Sequence, residues 1–421
     1  MKILIKNALI ADQSSPFNGQ IKDLFILDGI INAIGDNLTT PADKMVDTPN
    51  VVVSQGWVDV FAHFNEPGYE HRETIDSGIE AGIAGGYTHL FLVPNTQPVV
   101  QNKSIIEFIK RKSVGKGVNL LPIGAATKDI EGKDLAEMWE MQQAGAIAFS
   151  DGLNSIQSAG LMLKALQYIK AFDSTFIQMP IDKSIGTHGL INEGIVSTQL
   201  GLPGLPAISE HIIIKRDIDL LKYTDSKLHI TAVSTAESLE LIKEAKAQGL
   251  KISCSVTPYH LFFSDEDLMD YDTHLKVNPP LRTKKDVDAL RKGIVDGTID
   301  CIASHHFPQH WDNKSCEFEY AKNGMISLQT AFNVLLTAIP ELTPAKVAEL
   351  LSENARKLFN IASTGIEKGA KADITLFTNT GNTIFTKDSN KSKSQNSPFL
   401  NKTLQGKVVG TIYNNVINIT T

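Results

Sequence analysis

Eight short apolar runs, separated by amphipathic segments, constrain this sequence more than anything else in it. They are WVDVFAH (57–63), THLFLVPN (88–95), NLLPIGA (119–125), AIAFSD (146–151), TFIQMP (175–180), KLHITAV (227–233), KISCSV (251–256) and DCIAS (300–304). Strands that are apolar along their length, rather than at alternate positions, belong to a parallel sheet covered on both faces. The intervening segments SIIEFIKRK, LAEMWEMQQAG, LMLKALQYIKAF and ESLELIKEAKAQG carry apolar residues at i, i+3 and i+4 spacing, and several stop at glycine. Eight alternating units predict a (β/α)8 TIM-type barrel over residues 55–364.

The two chain ends have a different texture. Residues 1–54 hold short alternating strands, KILIKNALI and DLFILDG among them, broken by Ser-Pro, Asp-Gly and Thr-Pro turns. Strand texture returns after the barrel in ADITLF and KVVGTIYNNVINI. Neither piece has enough apolar face to stand alone, so residues 1–54 and 365–421 are expected to join as one small β domain. The Ser/Lys/Asn-rich stretch 379–397 reads as a surface loop.

Charge and composition exclude several functions. The 421 residues carry 40 Lys+Arg against 47 Asp+Glu, a net charge of −7 without a basic block. That balance argues against nucleic acid or an anionic membrane as partner. No apolar run approaches the ~18 residues of a membrane span. The opening MKILIKNALIAD reads as a strand, without the cleavage pattern of a leader. Cys254, Cys301 and Cys316 are odd in number and lack finger spacing, as expected of free thiols in a cytoplasmic protein. Eleven histidines are material enough for a metal site.

In a barrel of this kind the functional groups lie at the carboxyl ends of the strands. Those ends read Asp59-Val-Phe-Ala-His63-Phe-Asn65-Glu66-Pro67-Gly68, Pro94-Asn95-Thr96, Ser150-Asp151-Gly152, Gln178-Met179-Pro180 and Ala232-Val233-Ser234-Thr235. The later ones are Thr257-Pro258-Tyr259-His260, with Asn278-Pro279-Pro280-Leu281-Arg282 following, and Ser304-His305-His306-Phe307-Pro308-Gln309. His63, Asp151 and His305 are the candidates for a mononuclear site, two imidazoles and a carboxylate being suitable zinc donors. The bland alternative keeps His63 and Asp151 for packing and pairs His305 with Asp151. The His305–His306 doublet is not a metal motif, since neighbours on a strand point to opposite sides. His260 reads as a structural residue of its turn.

Over essentially its whole length the sequence resembles the dihydroorotases of the amidohydrolase superfamily, which interconvert N-carbamoyl-aspartate and dihydroorotate in pyrimidine synthesis. The stretches that carry the resemblance are GWVDVFAHFNEPG, GGYTHLFLVPNTQPV, AFSDG, VSTAESLELI, SVTPYHL, KVNPPLR and DCIASHHFP. Beyond the barrel, SENARKLF, GIEKGAKADITLF and NSPFLNKTLQGKVVGTI follow in the family's order. The resemblance implies the barrel fold, a binuclear metal centre and substrate contacts at Asn95 and Asn278, side chains that can equally cap their own turns.

The same resemblance marks departures. The family motif Asp-x-His-x-His-x-Arg-Glu-Pro-Gly has Phe61 in its first histidine slot, keeps His63, and has Asn65 in place of the arginine that clamps the substrate carboxylate. Asp151 retains a carboxylate where the family places a bridging ligand. The histidines of the fifth and sixth strands correspond to Gln178 (or Met179) and Ala232. The closing Asp-His-Ala-Pro-His has become His305-His306-Phe307-Pro308-Gln309, so His305 stands at the general-base position. Phenylalanine and alanine donate no lone pair, and a neutral amide or a thioether is a poor ligand for zinc.

The expectation is a dihydroorotase homologue that is not catalytic, holds no metal, and supports aspartate transcarbamoylase as a scaffold or regulatory subunit. Its expected partners are further copies of itself and the catalytic chain of that enzyme. The alternative is an active dihydroorotase or related cyclic-amide hydrolase with a remodelled mononuclear zinc site.

Overall fold

The computed structural model describes residues 1–419 and separates the chain into two main sheets. The first five strands are β1 (Lys2–Ile10), β2 (Ile21–Leu27), β3 (Ile30–Gly35), β4 (Lys44–Val46) and β5 (Val52–Gln55). The barrel strands are β6 (Trp57–Ala62), β7 (Tyr87–Leu92), β8 (Asn119–Gly124), β9 (Ala148–Phe149) and β10 (Phe176–Gln178). They continue, past the small pair β11 (Ile191–Asn192) and β12 (Gly204–Leu205), as β13 (Leu228–Ile230), β14 (Ile252–Val256) and β15 (Cys301–Ile302). The chain ends in β16 (Ile374–Ile384), β17 (Thr403–Tyr413) and β18 (Val416–Ile419).

The barrel sheet runs β6-β7-β8-β9-β10-β13-β14-β15, every neighbour parallel and in chain order. Each strand coincides with one of the eight apolar runs. All six residues of β6 and of β7 are buried, the two-sided burial that their composition demands. The ring closes between first and last strands through the Ala62–His306 bridge, where His63 N donates to His306 O at 2.9 Å. No described helix is long and apolar enough to cross a membrane.

The second sheet joins both chain ends. Its order is β18-β17-β16-β5-β1-β2-β3, with β4 against β1. The seam lies where β16 pairs antiparallel with β5, Leu376 opposite Val53. Ile5, Ile10, Leu24 and Val53 pack there against Ile374, Leu376 and Ile412 as one apolar cluster. The half-buried apolar faces of the two ends complete each other.

The polar stretch 379–397 departs from expectation. Its first residues extend β16, and the remainder is a surface loop only in part: Lys387, Asp388, Ser389, Lys391, Lys393 and Gln395 are exposed, whereas Ser392, Ser394, Asn396 and Ser397 are buried. Their side chains replace water with specific partners. Asn396 Nδ2 donates to Phe307 O and Gly324 O, both at 3.1 Å, while its Oδ1 accepts from Gln309 N at 3.1 Å. Ser394 Oγ donates to Arg72 O at 2.7 Å. Composition suggested solvent, whereas the fold uses these short polar groups to strap the carboxyl-end loops together.

Candidate functional site at the barrel mouth

The loops after β6 and β15 build the centre of the mouth. Phe61 points inward from β6, fully buried, and stacks on the His305 ring at 4.2 Å between centroids with planes 17° apart. His63 stacks in turn on Phe307 at 4.3 Å. Two imidazoles and two phenyl rings thus fill the space at the head of β6 and β15.

The two histidines differ in what holds them. His305 sits at φ 46°, and its Nε2 shares a 2.7 Å hydrogen bond with Thr231 Oγ1. Thr231 accepts from Ser255 Oγ at 3.1 Å, and Ser255 bonds His229 Nε2 at 3.0 Å. The Nδ1 of His229 reaches Ser253 Oγ at 2.8 Å. His305 is therefore the mouth end of a continuous buried chain of hydrogen bonds. His63 Nε2, equally buried, has no partner among the described residues. Burial, reinforced by the charges of His306 and Arg72, pushes the His63 imidazole down to about 3 and keeps it neutral. Burial likewise holds His305 well below the usual histidine range.

Asp151 does not pair with His305, contrary to the bland sequence reading. Its Oδ1 accepts from Ala126 N at 3.1 Å and Thr127 N at 2.9 Å, and its Oδ2 from Thr127 Oγ1 at 2.5 Å. Burial raises its carboxyl above the usual range against those hydrogen bonds. The nearer reason for the missing pair is local: the loop after β8 offers three donors within reach, and they use the carboxylate. Asn95 caps the same region, with Nδ2 donating to Asp151 O at 3.2 Å and Oδ1 accepting from Leu153 N at 3.2 Å. Gln178 also faces away from the mouth, its Nε2 donating at 3.1 Å to Asp217, a residue of the helix Ile208–Thr224. Burial raises Asp217 to about 6 despite adjacent Arg216. Ala232 is buried at φ 54° and presents only a methyl group.

His63 and His305 therefore come together, while Asp151 is engaged elsewhere. Among the described residues no three His, Cys, Asp or Glu side chains are placed to hold a metal ion. In this arrangement one imidazole is bonded to a threonine and the carboxylate to a backbone turn, so the three groups are not turned together as zinc donors.

β15 ends at Ile302 and His305 has a positive φ, so the doublet lies beyond the strand, and His306 has its own set of partners apart from those of His305. The His306 Nδ1 accepts from Ser327 N and Leu328 N at 3.2 and 3.3 Å, so the proton sits on Nε2, which donates to Glu73 at 3.4 Å. Glu73 also accepts from Ser77 Oγ, Ser392 Oγ and Lys393 N. Burial opposes its ionisation, but the hydrogen bonds from His306, Ser392 and Ser77 outweigh burial and hold the carboxyl below its usual range. His260 serves its turn, with Nδ1 at 2.7 Å from Thr257 Oγ1 and Nε2 facing the carbonyls of Pro279 and Pro280.

A cavity of about 340 Å³ remains open beside the stacked rings, lined by His63, Asn278, His305 and Gln309 and by two cations, Arg72 and Lys322. Sequence reading singled out neither cation. Arg72 lies in a polar loop and Lys322 in a Lys-Asn-Gly turn, and neither setting distinguishes a site residue from a solvated one. Glu73, which ties the strap to β15, carried a faint signal as an acid just ahead of a helix.

A (β/α)8 barrel flanked by a β-sheet from both chain ends, with its polar pocket at the strand carboxyl ends, is the architecture of the amidohydrolase superfamily. Solved structures with this fold include L-hydantoinase (dihydropyrimidinase) from Arthrobacter aurescens, with a TM-score of 0.86 and 21% identity over 100% of this chain and 97% of that one. A D-hydantoinase structure matches at a TM-score of 0.84 and 18% identity, covering 100% and 95%.

Within that architecture the chain belongs to the dihydroorotase family. A family model described as Dihydro-orotase-like matches residues 50–238. The dihydroorotase of Pelotomaculum thermopropionicum is 41% identical over 417 residues, covering 98% of this chain and 97% of that protein. The dihydroorotase of Syntrophus aciditrophicus is 38% identical over 418 residues, 98% of each.

Proposed function

We propose that this chain is a non-catalytic member of the dihydroorotase family, cytoplasmic and oligomeric, that serves pyrimidine synthesis as a scaffold or regulatory subunit for the catalytic chain of aspartate transcarbamoylase. One observation carries the reading. At the positions where the family resemblance implies metal ligands, Phe61 lies stacked on His305 and His63 on Phe307, and Asp151 is bonded into the turn at Thr127. Without a cation at this place, nothing lowers the pKa of a water to near neutrality or polarises the amide carbonyl. Asn65 and Gln309, at the family's two substrate-carboxylate positions, supply no charge. Each charge-assisted hydrogen bond forgone is worth roughly 1.5–3 kcal/mol.

The second reading is an active dihydroorotase or related cyclic-amide hydrolase with a mononuclear zinc at His63, Asp151 and His305. It is favoured by the comparisons, since relatives at about 40% identity across nearly the whole chain are named dihydroorotase. Elemental analysis of the purified chain, with a carbamoyl-aspartate cyclisation assay with and without added zinc, separates the two. Stoichiometric zinc together with turnover establishes the second reading and removes the first. Co-purification with the host's aspartate transcarbamoylase tests the partner, and a chain that stays alone at micromolar concentration removes it.

A further inference from the structure

The mouth cavity has an unusual electrostatic composition. Its lining includes Arg72 and Lys322 and no aspartate or glutamate. Neither cation forms an ion pair or a side-chain hydrogen bond among the described residues; for exposed Lys322 that is ordinary, but for Arg72 it is not, since most other buried or half-buried cations are paired. Arg72 is half-buried, its guanidinium 5.0 Å from the centre of the Tyr69 ring, and its Nε is buried without a partner. His63, 2% exposed, adds an unpartnered Nε2 to the same wall.

Arg72 is also held in place. Its carbonyl accepts from Ser394 of the strap, and Glu73 beside it is fixed by Ser392, Lys393 N, Ser77 and His306. The neighbouring carboxylate is thereby taken up by four other donors and is not available to neutralise Arg72. A buried donor without a partner is costly, and two like charges on one cavity wall repel, so the site is completed by something that accepts hydrogen bonds and brings negative charge. A cavity of about 340 Å³ is at the small end of ligand pockets, enough for a handful of heavy atoms.

We propose that the barrel mouth is a receptor for a small oxyanion, a phosphate or a short carboxylate, gripped by Arg72 and Lys322 with the unpartnered Nε2 of His63 in the same wall. The inference rests on the reading that the mouth is not used for turnover, and it gives the disused centre a regulatory role. The grip differs from the one that the family resemblance implies, because positions 65 and 309 are uncharged and both charges come from elsewhere, the loop before helix Ile75–Ala84 and the turn at 322–324. The strap holds the loops on both sides of the cavity in place through Ser394 and Asn396.

Calorimetric titration of the full-length chain at low ionic strength tests this, using inorganic phosphate, succinate and neutral succinamide as separate probes. One of the two anions binds with a Kd of ~1 mM or below, succinamide does not, and Arg72→Gln and Lys322→Gln each weaken that binding at least ~10-fold. The preferred anion tells a phosphate source from a carboxylate one. Lys322 is exposed, so Lys322→Gln remains a fair test if Arg72→Gln folds poorly. Absence of binding by both anions up to ~10 mM, equal binding of succinamide, or unchanged binding in Lys322→Gln overturns the site. Cyclisation assayed on the same samples keeps the two readings apart. Turnover alongside anion binding removes the non-catalytic reading and the regulatory role with it, whereas neither binding nor turnover removes the oxyanion site alone.

Discussion

Two sides of the same barrel treat buried histidines in opposite ways. On the β13–β14 side, His229 is bonded at both ring nitrogens, to Ser253 and Ser255, and His260 is held by Thr257 and two proline carbonyls. On the β6 side, His63 is as deeply buried but leaves Nε2 without a partner, and Arg72 and Lys322 stand nearby without counter-charges among the described residues. A buried polar group that is satisfied belongs to the architecture. One that is not satisfied costs stability unless something offsets the loss, as a ligand can.

The largest effect expected from this contrast comes from His229→Ala. It leaves two buried serine hydroxyls unpaired, opens a cavity, and cuts the chain that ends at His305, for a loss of about 3–5 kcal/mol in urea unfolding. A loss below about 1 kcal/mol would break the contrast at its satisfied end. Glu73→Gln comes next. It removes the charge that Ser392, Lys393 and His306 share, and about 2–3 kcal/mol is expected to go with it. Limited proteolysis should then cut the strap at 386–397 faster than in the unaltered chain.

The pH dependence has a defined sign. His229 is pushed down by burial to about 3 and His260 to about 4, from an unfolded value near 6.5. A depressed folded value means stability that is present above about 6.5 and lost as pH falls toward 4 and below. Asp59, raised by burial to about 7, has the opposite sign, its contribution being lost as pH rises from about 4 through 7. The Tm gap between the unaltered chain and His229→Gln isolates one histidine from these opposing trends, and it should narrow steadily between pH 6.5 and 4. A gap independent of pH would mean that His229 is not buried neutral. The smallest effect belongs to His63→Leu, which removes an orphaned ring nitrogen while keeping an apolar contact with Phe307. It should change stability by less than about 1 kcal/mol, in either direction. Destabilisation beyond about 2 kcal/mol would reveal a partner for His63, and a fall in bound zinc would favour the catalytic reading.

The contrast also explains what could be read in advance. Phe61, His63, Ala232 and His305 stand at strand ends that hydrophobic periodicity locates, so their places at the mouth were legible. Their hydrogen bonds were not. Asp151 could be placed at the end of β9, but nothing near it in the chain says that Ala126 and Thr127, two dozen residues earlier, would take its oxygens. The buried half of the strap was not legible for a related reason. Serine, lysine and asparagine are as suited to solvent as to capping buried carbonyls, and only the groups brought opposite them decide which.

The barrel and the two-ended sheet follow from patterns local to the chain: apolar runs too short and too continuous for anything but a covered parallel strand, and helix periods between them. Burial of apolar surface rewards one arrangement of such patterns regardless of detail, which is why they can be read without coordinates. The character of the mouth is different in kind. Whether Arg72 meets a carboxylate, whether His305 meets Asp151 or Thr231, and whether His63 finds any partner are matters of a few ångströms between residues far apart in sequence. Hydrogen bonds and ion pairs act over those distances and in fixed directions, so the tertiary structure alone decided them.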